Sequence, residues 1–101
     1  MRTKKMEPVH PGEVLLEEFL VPMGLSQNAL GRALGVPPRR INEIVHRTRR
    51  VTADTALRLA RFFDTSPEFW LGLQMDYELD VASDRLEAQL ARDVEPYRRG
   101  C

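Results

Sequence analysis

Apolar positions recur along this chain at helical spacing, segment after segment. In "EVLLEEFLV", Leu15, Phe19 and Leu20 share one side, which predicts a first helix starting near Pro11–Gly12. Glu13 complements its N-terminal dipole, and Pro22 is expected to stop it. Ser26 is a good N-cap for a second helix, "QNALGRAL", with Leu30, Ala33 and Leu34 as its inner stripe. Gly35 then supplies a left-handed stop. A third helix opens at "VPP". Pro38 suits the first helical position, where a missing N–H costs nothing. Ile41, Ile44 and Val45 follow at the i, i+3, i+4 spacing of one buried face. Thr52 is placed to cap a fourth helix, "ADTALRLARFFD", with Ala56, Leu57, Leu59, Ala60 and Phe63 as core. Ser66-Pro67 opens a fifth, "PEFWLGLQMDYELDVA". A last helical segment is expected from Asp84 to Val94, broken by Pro96. No run of alternating β-branched residues reads as a strand. The fold class is therefore all-α, with five helices and a C-terminal helical extension.

A chain of 101 residues, 43% hydrophobic, is expected to be one small domain. The divisions expected are a flexible N-terminal arm at 1–10, the five-helix domain at 11–82, a C-terminal helix at 83–95 and a loose tail at 96–101. No apolar run approaches the roughly 18 residues of a membrane span, so no membrane partner is expected. "MRTKKMEPVHPG" has charges without an apolar stretch behind them and does not read as a secretory signal. The single cysteine, Cys101, leaves no internal disulfide framework, which fits a reducing, cytoplasmic setting. His10, His46 and Cys101 are too scattered for a zinc set, and no Ser/His/Asp or phosphate-loop pattern is present. Neither enzyme activity, metal, cofactor nor small-molecule substrate is expected.

Net charge is zero, but its distribution is not uniform. From Arg32 to Arg61 there are eight basic residues (32, 39, 40, 47, 49, 50, 58, 61) against Glu43 and Asp54. From Glu68 to Glu95 there are eight acidic residues against Arg85 and Arg92. The middle of the chain suits a polyanion, whereas the C-terminal third is expected to face away from it.

The basic block coincides with a motif. Only "GVP" separates the second and third helices, and Gly31, Gly35, Ile41 and Ile44 lie four, eight, fourteen and seventeen residues after Gln27. Gly31 allows a close helix crossing, Gly35 a positive φ, and the two isoleucines lock the third helix down. This is the helix-turn-helix arrangement, whose second helix presents its N-terminal outer face to the DNA major groove. On a helix beginning at Pro38 the outward residues are Arg39, Arg40, Asn42, Glu43 and His46. Arginine can grip guanine, asparagine adenine and glutamate cytosine. Arg39, Arg40, Asn42 and Glu43 are thus the candidate base readers, although Glu43 has the alternative of orienting an arginine. Phosphate candidates are Gln27 and Asn28 at the start of the second helix, with His46, Arg47, Thr48, Arg49 and Arg50 at the end of the third. Arg58 and Arg61 are expected to be solvated. Arg2, Lys4 and Lys5 are expected to lie in an unstructured arm.

The run from Val9 to Ala82 closely resembles the HigA antitoxin family, within the Xre-type, lambda-repressor-like class. Its most specific pieces are "HPGE", "GLSQNAL", "RINEI", "TADTALRLAR" and "FWLGLQ..Y". The resemblance implies a homodimeric repressor that binds double-stranded operator DNA in its own promoter and neutralises a HigB-type mRNA-endonuclease toxin. A stand-alone Xre-family regulator without a toxin is the alternative, and a scaffold that no longer binds DNA is a third possibility. Three departures stand out. Gly31 replaces the usual alanine, Pro37 replaces a capping serine or threonine, and "HRTRR" has no glycine where many relatives have one.

The fifth helix carries Phe69, Trp70, Leu71, Leu73, Met75, Tyr77, Leu79 and Val81, more apolar surface than one stripe needs. Met75, Leu79 and Leu86 are the expected dimer contacts. The acidic C-terminal third and the first helix, with Glu13, Glu17 and Glu18, are equal candidates to meet a basic toxin.

Overall fold

The computed structural model describes residues 7–98, among which there are five helices and no strand. The basic arm residues Arg2, Lys4 and Lys5, and Cys101, lie outside the described residues. Helix α1 occupies residues 11–23 and joins three segments, the middle one of wider register. It is α-helical over Pro11–Val14, π-helical over Leu15–Leu20 and α-helical over Val21–Met23. Helices α2 (Gln27–Leu34), α3 (Pro38–Val45), α4 (Ala53–Phe63) and α5 (Pro67–Asp93) follow.

Pro22 does not stop α1. The Val21 N–H reaches back five residues to the Leu16 carbonyl, so the wide register carries the chain through the proline. Gly24, at φ 62°, ends the helix instead. His10, assigned from the sequence to a flexible arm, is buried. Its Nδ1 accepts the Gly12 N–H at 2.9 Å, making it the cap of α1. Gly12 lies so close to α3 that an added Cβ would collide with the Ile44 carbonyl.

The core is built from Leu15, Leu20, Leu30, Ile41, Ile44, Val51, Leu59 and Trp70. Phe19 packs its ring 4.7 Å from Phe63 and 5.0 Å from Trp70, which closes α1 over α4 and α5. The Trp70 indole N–H donates to Thr65 Oγ1 at 2.8 Å, so the largest buried side chain keeps its hydrogen bond. Two residues expected inside are outside. Ala33 is exposed, because α2 turns Gly31 rather than Ala33 into the crossing with α3. Leu57 is exposed, because the inward stripe of α4 runs through Thr55, Ala56, Leu59 and Ala60.

Ser26 and Ser66 cap α2 and α5 through their hydroxyls, accepting from Ala29 and Phe69 N–H at 3.0 Å each. Thr52 occupies the cap of α4 without a side-chain bond. The fifth helix and the separate C-terminal segment expected from the sequence form one helix. It runs through the expected 82/83 boundary and ends at Asp93. From Ser83 onward every described residue is exposed except the half-buried Leu86.

Candidate nucleic-acid interface

The α2–α3 turn sets the site. Gly35 takes φ 72°, and the α2–α3 crossing is so tight that a Cβ on Gly31 would stand 2.7 Å from Pro38 Cα. Pro37 precedes α3 without a side-chain cap, and Pro38 is its first residue. Ile41 and Ile44 are fully buried beneath α3. With that face locked, the polar face is held outward and α3 cannot roll.

On the outward face, Glu43 holds two arginines at once. Arg39 Nε donates to Oε2 at 3.0 Å and Arg49 Nε to Oε1 at 2.8 Å. These bonds, Arg49 first, hold the Glu43 carboxyl below its usual range. The Glu43 carbonyl also accepts the N–H of Thr48 at 2.9 Å and its hydroxyl at 3.2 Å. Both carboxylate oxygens are therefore engaged, which fits the orienting alternative better than direct acceptance from a base. Arg39 is otherwise free, with its side chain 85% exposed.

Arg40 leans sideways rather than straight out. Its Nη1 donates to Asp54 Oδ2 at 2.8 Å, from α3 to the first turn of α4. Arg58, expected to be solvated, closes the other side. Its Nε donates to Asp54 Oδ1 at 3.1 Å and its Nη1 to the Leu34 carbonyl at 2.8 Å. Arg58 and then Arg40 hold the Asp54 carboxyl low. Asn42 Nδ2 donates to Gln27 Oε1 at 2.6 Å, which ties the reading helix to the first residue of α2. Asn28, beside it, is exposed. His46 donates from Nδ1 to the Asn42 carbonyl at 2.7 Å.

The link to α4 carries the remaining cations. Arg47 takes φ 67°, a left-handed conformation that favours glycine, and its Nη2 donates to Glu13 Oε1 at 3.1 Å. Arg50 Nε donates to Glu78 Oε2 at 2.9 Å, and Arg50 and then Gln74 hold that carboxyl low. Gln74, buried in α5, also accepts the Val51 N–H at 2.8 Å and so pins the link from below. Glu78 belongs to the acidic third, which the sequence reading turned away from the basic face; at this point the two meet.

The structure brings Arg39, Arg40, Asn42, Glu43, Arg49 and Gln27 to one surface, with Arg47 and Arg50 at its edge. The sequence reading missed Asp54, Glu78 and Gln74 as partners of this surface, and His10 behind it. His10 had a legible signal, since His-Pro-Gly before an amphipathic run places a potential acceptor at the cap. Burial first, and then the charge of Arg47, lower the His10 pKa from 6.5, so its ring is neutral and can accept. Its ring lies 4.8 Å from Tyr77 in an edge arrangement. A surface of guanidiniums and amides on a rigid helix can meet phosphates and base edges. Among the described residues, no helix is long and apolar enough to cross a membrane.

Comparison with known proteins points the same way. A family model described as Helix-turn-helix, HTH_3, matches residues 16–70. The chain is 55% identical over 78 residues to "Virulence-associated protein I" of Dichelobacter nodosus, covering 77% of this chain and 72% of that protein. It is 36% identical over 96 residues to "Antitoxin HigA-1" of Vibrio cholerae, covering 95% and 90% respectively. The solved structure "Pseudomonas aeruginosa antitoxin HigA with higBA promoter" is similar at 44% identity and a TM-score of 0.87, covering 90% of this chain and 99% of that one.

Proposed function

The chain belongs to the HigA antitoxin family of Xre-type helix-turn-helix proteins, and on that premise we propose that it is a dimeric repressor of its own operon that also neutralises an mRNA-endonuclease toxin of HigB type. The observation that carries the DNA-binding part is the outward face of α3. It presents Arg39, Arg40 and Asn42 from a helix whose opposite face is fully buried. The solved relative on promoter DNA supports the same role for this fold.

In this reading Arg39, Arg40 and Asn42 meet base edges. Glu43 sets the direction of Arg39 and Arg49. Gln27 and Asn28, at the α2 N-terminus, meet a phosphate together with His46, Arg47, Thr48, Arg49 and Arg50. Arg40 has five donors and spends one on Asp54, which leaves an edge for guanine O6 and N7.

The dimer face is the exposed apolar stripe of α5. Met75 is 57% exposed and Leu79 61%, with half-buried Leu86 two turns further along. Leu71 and Leu90, also exposed, extend the same stripe at steps of four. A two-fold dimer on this stripe sets two α3 helices roughly 34 Å apart on a palindromic operator.

The test is a salt titration of binding to the duplex upstream of the protein's own gene. Affinity falls steeply with salt, and Arg40→Ala costs about 1–3 kcal/mol and relaxes one operator position. Unchanged affinity and preference in that variant would refute the assignment of Arg40. Co-purification of the native operon products tests the toxin, and a gene with no co-purifying neighbour would favour a stand-alone regulator.

A further inference from the structure

We propose that Asp54 is a positioning residue for DNA reading: it fixes the Arg40 guanidinium from the side and so sets the base preference at the operator position Arg40 meets. The inference rests on the reading of Arg40 given above. It names a residue on α4, outside the α3 face, as a determinant of specificity.

The geometry is a relay across three helices. The Leu34 carbonyl, at the end of α2, holds Arg58 Nη1 at 2.8 Å. Arg58 Nε holds Asp54 Oδ1 at 3.1 Å, and Asp54 Oδ2 holds Arg40 Nη1 at 2.8 Å. Each carboxylate oxygen has one guanidinium, so Asp54 cannot swing toward either without losing the other. The Arg40 side chain is only 28% exposed, against 85% for Arg39 on the same helix. Arg39 is tethered to Glu43, a residue of its own helix. Arg40 is instead tied to a separate helix, which limits both its reach and its rotation. An arginine that arrives oriented loses less freedom when it forms a paired contact with guanine. The Asp54 side chain is 55% exposed and that of Arg58 41%, and pairs with a carboxylate so open to water add little to stability, so the effect of losing them falls on recognition rather than folding.

A simpler role makes a different prediction. If Asp54 merely competed with DNA for Arg40, or repelled phosphate, removing its charge would strengthen binding to every duplex alike. A purely architectural role would flatten preference at all positions together.

The experiment is selection of bound duplexes from a randomised library at fixed salt. It uses the full chain and its Arg40→Ala, Asp54→Asn and Asp54→Glu variants, with thermal melts alongside. Asp54→Asn is expected to lose roughly ten-fold preference at the same position that Arg40→Ala loses, while other positions keep theirs. Asp54→Glu, which restores the carboxylate, regains part of it. Wild-type preference at that position in Asp54→Asn would overturn the inference while leaving Arg40 a reader. Uniform flattening would overturn it in favour of an architectural role. Arg40→Ala with no altered position would overturn the reading beneath it, and the inference with it.

Discussion

Arg47 shows how competing small terms settle at one residue. Its φ of 67° costs an L-residue about 1–2 kcal/mol, and glycine would remove that cost. Glycine would also free the unfolded chain by roughly 0.5–1 kcal/mol and remove an exposed pair with Glu13 worth up to about 1 kcal/mol. Arg47→Gly is therefore expected to leave urea-unfolding stability within about 1 kcal/mol of wild type, while the log–log salt slope of DNA binding falls by about 1. A drop in stability with an unchanged slope would place Arg47 in the architecture and not at a phosphate. His10 gives a pH test. A base whose folded pKa lies below its unfolded value stabilises the fold fully above about 6.5, and loses that contribution as pH falls through the lowered value. Unfolding measured from pH 7.5 down to 5 should show stability declining below about 6.5, and His10→Asn, which still caps but does not titrate, should flatten that decline. Glu43, Asp54 and Glu78, with lowered pKa values, lose their contributions only in the more acidic carboxylate range. The faces of these residues were legible in the sequence but their partners were not. Arg40 and Asp54 lie fourteen residues apart, and Arg50 and Glu78 twenty-eight. Periodicity fixes which side of a helix a residue takes, not what it meets across a crossing.

At the scale of the element, caps and most inner-stripe positions were readable because their chemistry is local, while Ala33 and Leu57 were placed inside and stand outside. Ser26, Ser66, Gly35 and Pro38 stand where the sequence placed them. Pro22 was misread because a proline reads as a stop only in α-register. The π-helical segment before it buries both Leu15 and Leu20 in the core, an arrangement that local spacing does not reveal. The break expected after Ala82 was absent because no glycine or proline lies between Ser83 and Asp93 to end α5, and Ser83 and Asp84, residue types that can cap a new helix, stay in helical register. The caps themselves give a contrast. Ser66→Ala removes a hydroxyl that accepts the Phe69 N–H and should cost about 1 kcal/mol. Thr52→Ala, at a cap with no side-chain bond, should cost less than about 0.5 kcal/mol. Chemical denaturation of the two variants separates them, and equal losses would contradict the cap geometry.

For the whole molecule, the net charge of zero conceals a face whose cations are already held by the protein's own carboxylates. Glu13 and Glu78 reach that face from α1 and α5, the first and last helices. Composition made the basic block visible, but the sheath around it required the fold. The stripe through Met75 and Leu79 belongs to this scale too, since a single copy leaves it uncovered. Met75→Glu with Leu79→Glu should give a folded monomer by sedimentation, because neither side chain is part of the core, and should weaken operator binding by removing the second α3 from the site. A folded dimer of unchanged sedimentation would move the interface elsewhere. The central claim is that the outward face of α3 reads DNA, and a crystal structure of this protein on its operator tests it most directly. The account predicts α3 in the major groove, with the free edge of the Arg40 guanidinium about 2.7–3.2 Å from a base acceptor. A complex in which α3 lies outside the groove, with Arg39 and Arg40 touching only phosphate or only their own carboxylates, would contradict it.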